Sequence, residues 1–151
     1  MTQVDFYHLQ KQSLEEALPK LLEKAYSTGK HIKIKIGTEE RVEFINSLLW
    51  TFEDQSFLPH GSKKDGFAEE QPIWLSSTDD NPNGAAFLFL VDGALVGLDK
   101  ATEYERIFNM FDGNVQVAVE QARAFWKDCK AANFELRYWQ QDNAGKWKQA
   151  A

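Results

Sequence analysis

The sequence predicts a single α/β domain of layered architecture, and three observations carry that expectation. The opening third of the chain alternates strand-like and helix-like patterns, the order that builds a helix-covered sheet. A later run, "AAFLFLVD" (85–92), is apolar at consecutive positions, as befits a strand covered on both faces. At 151 residues the chain has one domain's length, with no repeat, linker or low-complexity tract to divide residues 1–151.

Each element has its own local signal. "VDFYHL" (4–9) suits a short strand. In "SLEEALPKLLEKAYSTGK", Ser13 and Glu16 form a capping-box pattern, in which hydroxyl and carboxylate satisfy N–H groups left open at a helix start. Leu14, Leu18, Leu21, Leu22 and Ala25 then recur at helical spacing. Pro19 deletes one backbone bond, so the helix either bends there or becomes regular only near Leu18; Gly29 is a plausible stop. "HIKIKI" (31–36) alternates as a strand with Lys33 and Lys35 on one face, which is either wet or covered by lysine stems lying over a neighbour. "GTEERVEFINSLLW" follows as a helix capped by Thr38, with Val42, Ile45, Leu48 and Leu49 as its buried stripe.

The middle reads as a loop with one extended piece at "SFLPH", then strands at "IWLSS" and "AAFLFLVD" joined by the turn-rich "TDDNPNG". "KATEYERIFNMF" predicts a helix near 100–107 and a short extended piece. "NVQVAVEQARAFWKDCKAAN" is the clearest helix, and "FELRYWQQ" reads as the final strand.

Composition excludes several function classes. The net charge of -6 argues against a wrapper of duplex DNA or RNA, which needs a net positive surface, but leaves room for a local basic site. One cysteine, Cys129, excludes an internal disulfide framework, and no His-x-x-x-His pair points to a metal. The N-terminus lacks the pattern of a signal peptide and no apolar run approaches membrane-spanning length, so a soluble cytoplasmic protein is expected. "GALVGLDK" (93–100) has neither the P-loop nor the dinucleotide-binding spacing. Asp79, Asp80, Asp92 and Asp99 fall near loops and strand ends, where α/β enzymes place their sites, yet none has a matched nucleophile. A small α/β enzyme or nucleotide binder with its site near Asp92 and Asp99 is the alternative reading.

The last helix carries the sharpest functional signal. With Ala122 at zero on a helical wheel, Val115, Ala118, Phe125 and Cys129 fall within about 60° and form the core face. Trp126 borders that face, and Lys130, Arg123 and Lys127 lie beyond it, between about 80° and 140°. A solvated flank is the simpler reading. Against it stand the clustering of positive groups on an acidic protein, the large ring beside them, and the planar fork of Arg123, which takes a carboxylate by two parallel bonds. Such a socket suits a short acidic peptide ending in an aromatic residue and a free carboxylate. Direct single-strand binding, by base stacking on Trp126 over the lysines, is a third reading that the overall acidity opposes.

Taken in order, "FYHL", Leu49–Trp50, "SFLPH", "NPNGA", "LFLVDG" and "ARAFWKDCKAANFEL" resemble the chi subunit family of bacterial DNA polymerase III holoenzyme, across nearly the whole chain. In that family the last helix looks like Arg-x-x-aromatic-Lys followed by a small residue and Phe, matched here by Arg123, Trp126, Lys127, Asn133 and Phe134. The resemblance implies a non-catalytic α/β domain with a Rossmann-like sheet, helices on both faces, no nucleotide site and no cofactor. It implies two partners: the psi subunit, which ties chi to the clamp-loader complex, and the acidic C-terminal tail of single-stranded DNA-binding protein. By matching position, Arg123, Trp126 and Lys127, with Lys130 beside them, would receive the tail. The psi surface would lie around Trp50, Phe57, Pro59 and His60, residues that read equally well as core and turn. Two features depart from the family pattern: Asn133 stands where glycine is common, and "QQDNAGKWKQAA" extends past the last strand, where Trp147 either covers the sheet edge or frays.

Overall fold

The computed structural model of the chain describes residues 2–51 and 58–151. Eight strands form one sheet: β1 (Gln3–Leu9), β2 (Ile32–Ile36), β3 (Gly61–Ser62), β4 (Ile73–Ser76), β5 (Phe87–Val91), β6 (Arg106–Asp112), β7 (Glu135–Gln141) and β8 (Trp147–Gln149). Their spatial order is β3-β4-β2-β5-β6-β1-β7-β8, and every pairing is parallel except that of β7 with β8. Helices α1 (Leu14–Tyr26) and α2 (Glu39–Thr51) cover one face; α3 (Leu98–Ala101) and α4 (Gln116–Ala131) cover the other.

The capping box forms as the sequence requires: the Ser13 hydroxyl accepts from the Glu16 N–H, and the Glu16 carboxylate accepts from the Ser13 N–H. The helix runs through Pro19 without interruption, and Pro19 is buried. Burying its ring offsets the backbone bond it deletes. Strand β5 is buried at all five positions, as a central parallel strand should be.

Three expectations are corrected and one open alternative is decided. Of the two readings of the lysine-bearing face of β2 the covered one holds at Lys33, which is 1% exposed and whose ammonium donates to the carbonyls of Thr78 and Asp80 and, at 2.7 Å, to the Asp80 carboxylate. The β4–β5 connection folds over the sheet here, and Asp80 also accepts from Trp74 Nε1, Ser76 and Thr78. The segment 100–107 is not a helix; α3 ends at Ala101, and β6 is a full strand of seven residues. Its third residue, Phe108, stacks on Phe89 at 4.3 Å, so tertiary contacts select the strand.

Val115 is 46% exposed, because the helix starts only after it. The last strand is β8, not β7. Asp142 turns the chain by accepting from the N–H groups of Ala144 and Lys146, both at 2.9 Å, and Gly145 takes the left-handed backbone the hairpin needs. Trp147 then meets Tyr7 edge-on at 5.1 Å, so the tail covers the sheet edge instead of fraying.

Polar pairs tie the layers together. Arg41 of α2 donates to Asp92 after β5 at 2.9 Å and to Glu15 of α1 at 2.7 Å. Asp5, fully buried in β1, is held by the guanidinium of Arg106 and by the Gln3 amide. Among the described residues no helix is long and apolar enough to cross a membrane.

Candidate partner-binding site on the last helix

Helix α4 is held to the sheet by Ala122, Phe125 and Cys129, all buried, with Phe125 tilted against Phe6 of β1 at 5.7 Å. The Cys129 thiol is pushed up to about 12, by burial first and by the charge of Asp128 second. It is therefore a packing group at neutral pH, not a nucleophile. The helix stops in a Schellman motif. Phe134 N–H bonds to the Cys129 carbonyl at 3.0 Å, Asn133 N–H bonds to the Lys130 carbonyl at 3.1 Å, and Asn133 sits at φ +63°. Asparagine does here what glycine does elsewhere, since its short side chain tolerates the left-handed region.

Trp126 lies at the seam, half-buried. Its ring packs on Phe6 at 5.2 Å and meets Tyr138 of β7 edge-on at 6.3 Å. Arg123, Lys127 and Lys130 are exposed, and among the described residues none of them enters an ion pair or a side-chain hydrogen bond. Several cations elsewhere are engaged, Lys33, Lys35, Arg41 and Arg106 all meeting carboxylates, whereas the α4 ridge gathers, beside a large ring, three that are not. The four residues singled out on this helix thus share one ridge beside an aromatic floor. An unpaired guanidinium and two ammoniums there can take carboxylates, and the ring can take an apolar side chain.

Two residues of this neighbourhood escaped the sequence reading. Tyr138 lies on the α4 face of β7 and bridges Trp126 to His8 of β1, whose Nδ1 pairs with the Tyr138 hydroxyl. Alternation along "FELRYWQQ" assigns Leu136 and Tyr138 to one face; only the docked helix shows that it is this one.

The second candidate surface is partly resolved into core. Trp50 is 51% exposed at the end of α2 and packs its ring on His60 at 4.3 Å. His60 itself is buried, with its ring nitrogens against the Leu58 and Asn46 carbonyls, so it supports Trp50 from beneath; Pro59 is half-exposed. Phe57 lies outside the described residues. The acids of the alternative reading are mostly tied up: Asp79 pairs with Lys35, Asp80 with Lys33 and Asp92 with Arg41, while Asp99 opens the short α3.

Fold and site define a single-domain α/β protein whose last helix exposes an unpaired basic stripe beside a half-buried aromatic ring. The chain belongs to the family described as DNA polymerase III chi subunit, HolC, which it matches over residues 1–137. That membership associates it with DNA replication. It is also similar to a protein of Rickettsia prowazekii (strain Madrid E) described as "Probable DNA polymerase III subunit chi", with 30% identity over 109 residues. The match covers 72% of this chain and 66% of the relative, so the chain spans just under two thirds of that relative's length.

Proposed function

We propose that this chain is a non-catalytic accessory subunit of a replicative polymerase complex, an adaptor that joins psi to the acidic tail of single-stranded DNA-binding protein. The observation that carries the tail contact is the unpaired Arg123, Lys127 and Lys130 beside the half-buried Trp126. A carboxylate-rich tail supplies the missing partners, and its terminal aromatic residue would lie against Trp126 and Tyr138. That this tail belongs to single-stranded DNA-binding protein is what the resemblance to the chi family implies, and membership of that family supports the reading. Affinity in the micromolar range that weakens with ionic strength is expected, since the charge-assisted contacts lie on an exposed ridge where salt screens them.

The test is a titration with an acidic peptide ending in a Phe with a free carboxylate. Arg123→Ala and Lys127→Ala should each weaken binding by about 1–3 kcal/mol and leave the melting temperature unchanged. Unchanged affinity in both variants would remove the tail pocket from this ridge.

The psi contact rests on Trp50, a large exposed ring that His60 supports, with Pro59 beside it. Trp50→Ala should abolish co-purification with psi while the tail titration stays as in the parent protein. A gel shift with a bare oligonucleotide separates this adaptor from a direct single-strand binder: a shift of the oligonucleotide by this chain alone would favour the latter.

A further inference from the structure

His8 lies between the tail ridge and the sheet, in contact with Tyr138. Its Nδ1 pairs with the Tyr138 hydroxyl, its ring tilts on Phe111 at 5.0 Å, and Tyr138 in turn meets Trp126. Nε2 is buried with no hydrogen-bond partner. It faces Gly113 so closely that a Cβ there would lie 1.9 Å from it. The titratable and charged groups facing His8 come from three elements: Tyr138 of β7, Asp112 at the end of β6, and Arg123 of α4. Arg123, one helical turn before Trp126, acts on His8 and Tyr138 alike.

We propose that His8 is a proton-linked determinant of the tail pocket: a carboxylate on Arg123 draws a proton onto His8, and tail affinity rises as pH falls. This rests on the tail pocket proposed above. In the free protein, burial first and the Arg123 charge second hold the imidazole below its ordinary pKa, while Asp112 pulls the other way. A bound tail neutralises Arg123 and removes one of the two opposing effects, so the folded complex holds the proton at higher pH than the free protein. By linkage the same coupling acts in reverse: a protonated His8 adds a second positive charge behind Tyr138 and strengthens the tail contact. Tyr138 can serve either state, accepting from an Nδ1–H or donating to a bare Nδ1.

The chain has three histidines, so their ring protons can be followed by NMR in the intact protein without a variant. The probe is the unlabelled acidic peptide with a C-terminal Phe, added between about pH 5.5 and pH 8, where its carboxylates stay ionised. On peptide addition the His8 titration midpoint should move up. Calorimetry in buffers of different ionisation enthalpy should show proton uptake on binding. Affinity should be about fivefold tighter at the acid end, and His8→Leu should flatten that slope. A peptide that binds, and is weakened by Arg123→Ala, but leaves the His8 midpoint unmoved would overturn the proposal and spare the pocket. Binding at no pH would overturn the pocket itself, and the linkage with it. Should His8→Leu fail to fold, the midpoint shift and the proton uptake of the parent protein decide the matter alone.

Discussion

Asn133 shows how much one residue decides here. It ends α4 by accepting a left-handed backbone, so the last turn closes and Phe134 enters the partly buried layer behind the helix. Asn133→Gly should therefore be neutral or slightly stabilising in chemical denaturation. Asn133→Val should cost about 1–2 kcal/mol, because a branched side chain cannot take that backbone without strain. Cys129 is a residue-scale case of the opposite kind. Its thiol is buried and raised to about 12, so alkylation of the native protein at about pH 8 should proceed only through unfolding. Labelling at the rate of an exposed thiol would contradict that placement.

At the scale of elements, the β4–β5 connection serves as a cover for the sheet. It covers the second face of β2 and β4 by holding Lys33 and Trp74 under Asp80. Burial works to raise the Asp80 carboxyl, but the bonds from Lys33, Ser76, Trp74 and Thr78 outweigh it and hold the group well below the usual carboxylate range. A depressed carboxylate contributes stability that is present above its unfolded pKa and is lost as pH falls through the folded one. Asp80→Asn should thus show a shallower loss of stability below about pH 4 than the parent protein. The two partners should not behave alike. Asp80→Ala strands a buried ammonium and should cost about 3 kcal/mol, whereas Lys33→Met fills the same space and should cost about 1 kcal/mol or less. Urea melts of the two variants compare them directly; equal costs would argue that Lys33 is not held by Asp80.

At the scale of the whole molecule, an acidic protein carries on α4 a ridge whose three cations, among the described residues, enter no ion pair. Raising salt from about 0.05 M to about 0.3 M should weaken the acidic peptide several-fold with little change in melting temperature, since the ridge is exposed while the ion pairs between the layers are partly buried. The same scale explains Trp147. It joins the stacked rings of Tyr7 and Trp139 on the α1 face, so Trp147→Ala should lower stability by about 2 kcal/mol and loosen β8 in hydrogen exchange.

The sequence by itself determined the α/β class, the capping box of Ser13 and Glu16, the buried run of β5 and the split faces of α4. Each of these is a local pattern, readable from period and cap chemistry over a few residues. It also placed Arg123, Trp126, Lys127 and Lys130 together, because a helix puts residues at that spacing on one side. Only the tertiary structure decided that Lys33 is buried, that β6 is a strand, that Trp147 closes the sheet edge and that Tyr138 joins Trp126 to His8. Those facts depend on which segment lies across from which. That choice is made by pairings between residues as far apart as His8 and Tyr138, whose separation leaves no periodic trace in the chain.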